Sequence, residues 1–225
     1  MIALFLIIVP ASQLWSAPSG FRSGGLGAPA SSASNAKVEG FRSAKFGMKA
    51  DQALKAIAKD FRISKSRVKK EVHPTERTTN YLVEVNNLIP DSGKAQIAYI
   101  FGFKSKKLFQ VNVLWRNDKS AKQNTQGLIA TANLLRSLFL KKGFAKDKSI
   151  ANHQLKDGSI IVFRGQDNLG RMVLLYLNNP LGNPEQAKTK SAKEKAELAK
   201  KITLMLSYME NPKQPDIFKL NEDDF

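Results

Sequence analysis

The sequence predicts an α+β fold built on an antiparallel sheet. Three segments show the apolar period of a helix, and between them lie two groups of segments whose apolar residues alternate or run together as in strands. The predicted order is helix, three strands, helix, three strands and helix, and no parallel crossover is required. This order is compatible with two copies of one unit, a helix followed by a three-stranded meander.

The first helix and the first meander follow Gly47. Apolar residues at i, i+3, i+4 and i+7 between Leu54 and Phe61 form one helical stripe. The stripe begins after Lys49, which is a poor residue for a helix N-cap. Strands are then predicted around 81–85, 97–101 and 109–115, because apolar and polar residues alternate there.

The second half of the chain repeats this pattern. Its helix carries the stripe Leu128, Ala132, Leu135 and Phe139, with Thr125 as the expected cap. Strands are predicted at 150–155, 159–164 and 171–177, and Asp157-Gly158 is typical of a tight hairpin turn.

The last predicted helix has the clearest N-terminus. Ser191 and Glu194 form the pattern of a capping box. The expected apolar stripe runs through Leu198, Ile202, Met205 and Met209, and Pro212 is expected to stop the helix.

Four regions are predicted along the chain. Residues 1–17 are expected to be a signal peptide, since the apolar block 3–9 is too short to span a bilayer. No Lys or Arg precedes that block, and a buried N-terminal strand or helix is the alternative. Residues 18–37 read as a flexible Gly/Ser/Ala/Pro linker, 38–212 as the α+β domain and 213–225 as an acidic tail.

One stretch resembles a known group of proteins. The run from Gly40 to Met48, followed by an amphipathic helix ending at Lys59-Asp60-Phe61, is similar to the opening of small exported proteobacterial proteins of unknown function. It also resembles the helix opening of small outer-membrane assembly lipoproteins of the SmpA/OmlA type, which share a β-lactamase-inhibitor-like unit of a helix and antiparallel strands. The resemblance implies an envelope location and a non-enzymatic, protein-binding role. This chain lacks the lipid-bearing cysteine of that family, and no functional residue is carried over.

The charge of the chain favours anionic partners. The formal net charge is +17, most of it from lysine. We expect an acidic protein or an anionic envelope component as partner. Nucleic acid is the alternative partner, because residues 101–109 interleave Phe with Lys in the way that single-strand binders do.

The third strand of the first meander supplies the candidate binding surface. Phe109, Val111, Val113 and Trp115 are predicted to face a helix, and the opposite face is expected to be wet. We expect that wet face and the adjacent basic turn to bind the partner. The candidate residues are Lys104, Lys106, Lys107, Gln110, Asn112 and Arg116.

No catalytic motif, metal-ligand spacing or phosphate loop is apparent, and no cofactor is predicted. His73 and His153 are expected to be surface or turn residues, and Asp157 and Asp167 to be turn residues. We therefore predict an exported, non-enzymatic binding or scaffolding protein of the bacterial cell envelope. Its expected location is the periplasm, and no transmembrane span is expected. An enzyme of unrecognised type is a further alternative, for which the first residues to test are Glu84, Asp118, Asp157, Asp167 and His153.

Overall fold

The fold was analysed in a computed structural model that describes residues 35–117 and 124–220. The predicted α+β class is confirmed. Helices accompany an eight-stranded antiparallel sheet and a separate two-stranded hairpin. Among the described residues, no helix is long and apolar enough to cross a membrane.

The first half of the chain forms a hairpin, a helix and four strands. Its elements are β1 (Gly40–Phe41), β2 (Ala44–Lys45), α1 (Ala50–Phe61), a short 3₁₀ helix (Lys65–Arg67), β3 (Lys69–Val72), β4 (Thr79–Asn86), β5 (Lys94–Phe101) and β6 (Leu108–Arg116). We call Ala50–Arg116 the first module.

The second half forms a helix and four further strands. Its elements are α2 (Thr125–Leu140), a 3₁₀ helix (Lys146–Lys148), β7 (Ser149–Gln154), β8 (Ile160–Gln166), β9 (Met172–Asn178), α3 (Pro184–Lys188), α4 (Ala192–Ala199) and β10 (Thr203–Met209). We call Thr125–Met209 the second module.

The two modules share one sheet. Its strand order is β3-β4-β5-β6-β10-β9-β8-β7, and every neighbouring pair is antiparallel. Each module is therefore a four-stranded meander, and the last strands of the two meanders pair with each other. The strand order of one module mirrors that of the other across the β6–β10 seam.

The core lies between one face of the sheet and the helices α1 and α2. Ile57 of α1 and Leu128 and Phe139 of α2 are buried there with Tyr99 and Trp115 of the sheet. The ring of Phe139 also stacks on that of Phe163, with ring centroids 5.4 Å apart. The apolar stripes predicted for the two helices thus supply the contacts that hold them on the sheet.

The ends of these helices differ slightly from expectation. Lys49 is the N-cap of α1, and its backbone N–H is bound by the Gln52 side chain at 3.0 Å. The N-cap of α2 is Asn124 rather than Thr125, and its side chain accepts a hydrogen bond from the Gly127 N–H. Asparagine is among the best N-cap residues, so the helix begins one residue earlier.

The prediction of the last helix is wrong for its second half. The capping box of Ser191 and Glu194 is present, but α4 ends at Ala199 and β10 follows. The run 202–209 is almost continuously apolar, and such a run fits either a buried strand or a helix. Because β10 lies between β6 and β9, it forms ladder hydrogen bonds along both of its edges. The side chains of Leu204 and Leu206 are buried in the core.

Two further boundaries also differ. The sequence prediction missed β3, which pairs with β4 at the edge of the sheet although its residues are mostly polar and exposed.

The folded body begins before residue 38. The Asn35 N–H donates to the Gly143 carbonyl, and the Val38 N–H donates to the Asp167 carboxylate. The body therefore includes the last residues of the predicted 18–37 linker. The predicted signal peptide 1–17 and the rest of that linker lie outside the described residues.

Candidate interaction surface

The polar side chains of β6 share one side of the sheet, as the alternation predicts. Val111, Val113 and Trp115 are fully buried beneath the helices, so Gln110, Asn112 and Arg116 point to the opposite side. We call that side, away from α1 and α2, the second face.

Phe109 departs from the predicted pattern. It is buried, but Leu108 rather than Phe109 joins the main core. The register between β5 and β6 shifts beside Phe101, which pairs with Leu108. A shift of one residue exchanges the two faces of a strand, so alternation fails at the start of β6.

The second face is less wet than expected. Asn112 is only 6% exposed, and the Gln110 side chain donates to its Oδ1 atom at 3.0 Å. Asn112 lies between Ala98 of β5 and Ser207 of β10. The prediction of a freely solvated face is therefore wrong in the middle of the strand.

Apolar side chains flank this polar centre. Leu114 of β6 lies opposite Met205 of β10, and Gln110 lies opposite Met209. Leu114, Met205 and Met209 are half-buried and retain some exposure. Methionine adapts its shape to a contacting surface, and partly exposed apolar residues beside amides are typical of protein-binding surfaces.

Arg116 supplies positive charge at one end of the second face. Its guanidinium donates to Gln96 Oε1 at 3.1 Å. Partial burial lowers the pKa of Arg116, and the nearby negative charge of Glu84 opposes this shift. Since an arginine remains protonated at any ordinary pH, the exposed group keeps its charge.

The basic turn lies at the other end of β6. Lys104, Lys106 and Lys107 are all exposed, and the Lys106 ammonium lies 5.0 Å from the centre of the Phe103 ring. The turn is also contacted by the C-terminal segment of the chain. The Asp216 carboxylate accepts hydrogen bonds from the N–H groups of Lys104 and Ser105, each at 2.8 Å.

A cavity of about 410 Å³ lies where this segment meets the turn. It is lined by Phe103, Lys104, Gln214, Pro215, Asp216, Ile217, Phe218 and Lys219. No motif in the sequence marks Asp216 or Phe218. The only signal was the general expectation of an acidic tail, because a contact across 112 positions leaves no local pattern.

Three of the remaining candidates, His73, Asp157 and Asp167, bind backbone N–H groups, and the fourth, His153, is exposed to solvent. His73 Nδ1 accepts the Glu76 N–H in the β3–β4 turn, and His153 is exposed on β7. Asp157 accepts the Ser159 N–H in its turn. Asp167 is buried and binds the N–H groups of Val38, Leu169 and Arg171.

The residues named for an enzymatic alternative are not brought together. Glu84 lies on β4 and forms an ion pair with Lys94, whereas His153 lies on β7 at the far edge of the sheet. With about 4.8 Å between neighbouring strands, six strand spacings separate them by about 29 Å. Asp118 lies outside the described residues. Within residues 35–117 and 124–220, no group of three or more His, Cys, Asp or Glu residues could hold a metal ion.

No protein-family model matches the chain, and no curated protein or solved structure shows significant similarity to it.

Proposed function

We propose that this protein is an exported, non-enzymatic binding or scaffolding protein of a bacterial cell envelope, and that it binds an acidic protein through the second face of its sheet. The observation that carries the proposal is the joining of two modules into one eight-stranded sheet whose helices α1 and α2 pack on a single side. The resemblance of residues 40–48 to SmpA/OmlA-type proteins supports the envelope setting.

The size of the second face suits a protein partner. Eight strands span about 34 Å, and seven residues of strand extend about 23 Å. Part of this face is already buried, since Leu82, Ala98 and Leu174 are at most 6% exposed. A partner would therefore contact the partly exposed side chains of Gln110, Leu114, Met205 and Met209. A small molecule would instead favour a concave apolar pocket.

Charge favours an acidic partner over other proteins. Arg116 and Arg164 carry positive charge on this face, and the three exposed lysines of the basic turn adjoin its edge. With a net charge of +17, long-range attraction also speeds the encounter with an acidic surface.

The aromatic side chains of residues 101–109 give little support to nucleic-acid binding. Phe101 and Phe109 are buried, so their rings cannot stack on bases. Phe103 packs edge-on against Phe218, with ring centroids 5.3 Å apart. An acidic protein therefore remains the favoured partner.

Site-specific photocrosslinking tests the binding face. A photoreactive amino acid at Met205 places the probe on the second face, and the same residue at Leu134, which is 59% exposed on α2, is the matched control. We expect an acidic protein to be captured from envelope extracts at Met205 but not at Leu134. Equal capture at both positions, or capture of nucleic acid, would contradict the proposal.

Export is tested separately. Cells producing the full-length chain with a C-terminal tag are fractionated, and the mass of the tagged product is measured. We expect a shortened product in the envelope or periplasmic fraction. A full-length product confined to the cytoplasm would refute export. It would not affect the proposal for the binding face, which the crosslinking experiment tests independently.

A further inference from the structure

The C-terminal strap, residues 214–219, lies on the surface of the first module. From the end of β10 the chain passes the β5–β6 turn and reaches the β3–β4 turn, where the Phe218 N–H donates to the Glu76 carbonyl at 2.8 Å. No residue from 211 to 220 is buried. A segment that buries so little opens at low free-energy cost compared with the core strands.

Asp216 is the polar anchor of the strap. Its carboxylate binds the N–H groups of Lys104 and Ser105, and its carbonyl accepts the Phe103 N–H at 2.9 Å. Successive backbone N–H groups that converge in a turn form a site for an anion. A Cβ atom on Gly102 would lie only 2.0 Å from the Asp216 carboxylate, so the turn is shaped to admit that group.

Phe218 is the aromatic anchor. Its ring lies edge-on to Phe103, and the Arg77 guanidinium lies 4.1 Å from its centre. A guanidinium at this distance attracts an aromatic face. The receptor side therefore offers one position for a carboxylate and, two residues further along the bound chain, one for an aromatic ring.

We propose that the β5–β6 turn together with Arg77 is a binding site for segments with an acidic residue two positions before an aromatic one. Asp216-Ile217-Phe218 fills this site within the same chain, and a partner segment of the same chemistry displaces it. The inference goes beyond the proposed function, since the turn can act as such a receptor whatever binds the second face.

A peptide-binding experiment tests the inference on the full chain. The probe is a fluorescent peptide with the sequence of residues 211–220. The receptor is the double variant Asp216→Ala/Phe218→Ala, in which the strap no longer competes. We expect this variant to bind the peptide at least tenfold more tightly than the wild type, because an attached segment competes at high effective concentration.

Three controls define the site. Lys219→Ala, a change at an exposed strap residue, should leave peptide binding at the wild-type level. Peptides with Asn for Asp or Ala for Phe should bind the double variant at least tenfold more weakly. Gly102→Ala added to the double variant should abolish binding. Equal binding by the wild type and the double variant, or binding insensitive to both peptide changes, would overturn the inference.

Hydrogen exchange of the wild-type chain gives a second test that needs no variant. With excess peptide, the N–H groups of Lys104 and Ser105 should stay protected while that of Phe218 exchanges faster. If all three exchange as slowly as the central N–H groups of β5, with or without peptide, the strap does not open and the inference is wrong.

Discussion

The two modules have the same order of strands but connect the third and fourth strands differently. In the first module a short turn, Gly102–Lys107, joins β5 to β6. In the second, residues 179–202 with the helices α3 and α4 lie between β9 and β10. The two connections lie at opposite ends of the sheet, because β6 and β10 are antiparallel.

This difference shows that strand pairing, and not the connection, defines the module. The long connection is held by side-chain hydrogen bonds at several points: Asn117 donates to the Ala199 carbonyl, Asn178 to that of Lys201 and Asn183 to that of Lys156 in the β7–β8 turn. The short turn, in contrast, is fastened by the strap. Each module thus reaches the same four-stranded meander through contacts that the other lacks.

The largest effect is expected from breaking the fourth strand of the second module. Leu204→Ala should lower the free energy of unfolding by about 3 kcal/mol, because Leu204 is fully buried in the core. Met209→Ala, at a half-buried position, should cost about 1 kcal/mol or less. Urea denaturation measures both. A helix through residues 198–209 with Met209 in its buried stripe would give the reverse order.

A smaller effect is expected from releasing the strap of the first module. Asp216→Asn should lower stability at pH 7 by about 1 kcal/mol, since charge-assisted hydrogen bonds to the turn are weakened. Asp157→Asn, in a turn of the second module, is the comparison variant. Thermal denaturation measures the loss, and an unchanged melting temperature for Asp216→Asn would show that the bonds of Asp216 to the turn add no stability.

The strap also predicts a dependence on pH. Partial burial raises the pKa of Asp216, but hydrogen bonds from the Ser105 side chain and the turn, with the charge of Lys104, outweigh it and lower the pKa below its usual range. A lowered pKa in the folded state stabilises at pH above the unfolded value, about 3.9, and that gain is lost as pH falls through the folded pKa. The stability difference between wild type and Asp216→Asn should therefore be constant from pH 7 to 5 and shrink below about pH 4. A difference that grows on acidification would contradict this assignment.

Two tyrosines on the equivalent strands β5 and β9 should respond in opposite directions. The Tyr99 hydroxyl is fully buried, with no hydrogen-bond partner among the described residues, and burial raises its pKa. Burial raises the pKa of Tyr176 as well, but interaction of its hydroxyl with the Ser159 side chain opposes that rise. Tyr99→Phe should leave stability unchanged or raise it by up to about 1 kcal/mol, whereas Tyr176→Phe should lower it by about 1 kcal/mol. Equal losses in chemical denaturation would show that Tyr99 is hydrogen-bonded after all.

The smallest effect on stability is expected at the basic turn. Changing Lys104, Lys106 and Lys107 to Glu should alter stability by under about 0.5 kcal/mol per site, because the side chains are exposed. The same variant should weaken crosslinking of an acidic partner at Met205. Charge reversal at Lys141, Lys142 and Lys148 is the matched control. An unfolded triple variant, or an unchanged crosslinking yield, would remove the basic turn from the binding surface.

Much of the fold could be predicted because most elements carry their own apolar period. The helices α1 and α2 and the strands β4 to β9 were expected close to their observed positions. The edge strand β3 has no such period, since Lys69 and Lys70 are exposed. The apolar run of β10 suits a buried helix as well as a buried strand. The pairing with β6 and β9 decides in favour of the strand, and the local sequence does not show that pairing.

The candidate site was predictable only in part, for the same reason. Alternation placed Gln110, Asn112 and Arg116 on one face, but the burial of Asn112 depends on Ala98 and Ser207 from other strands. The contact of Asp216 with the β5–β6 turn joins residues 112 positions apart in the sequence. The acidic composition of the C-terminal segment does not indicate that contact.

The seam between the modules bears on how the chain is made. The central pair of the sheet contains its last strand, β10, so the inner edges of β6 and β9 have no partner until residue 209 has been synthesised. A nascent or C-terminally truncated chain therefore presents two open strand edges at the middle of its sheet rather than at its rim. Such edges pair readily with other chains, so the chain is exposed to aggregation until β10 has been synthesised and inserted between β6 and β9.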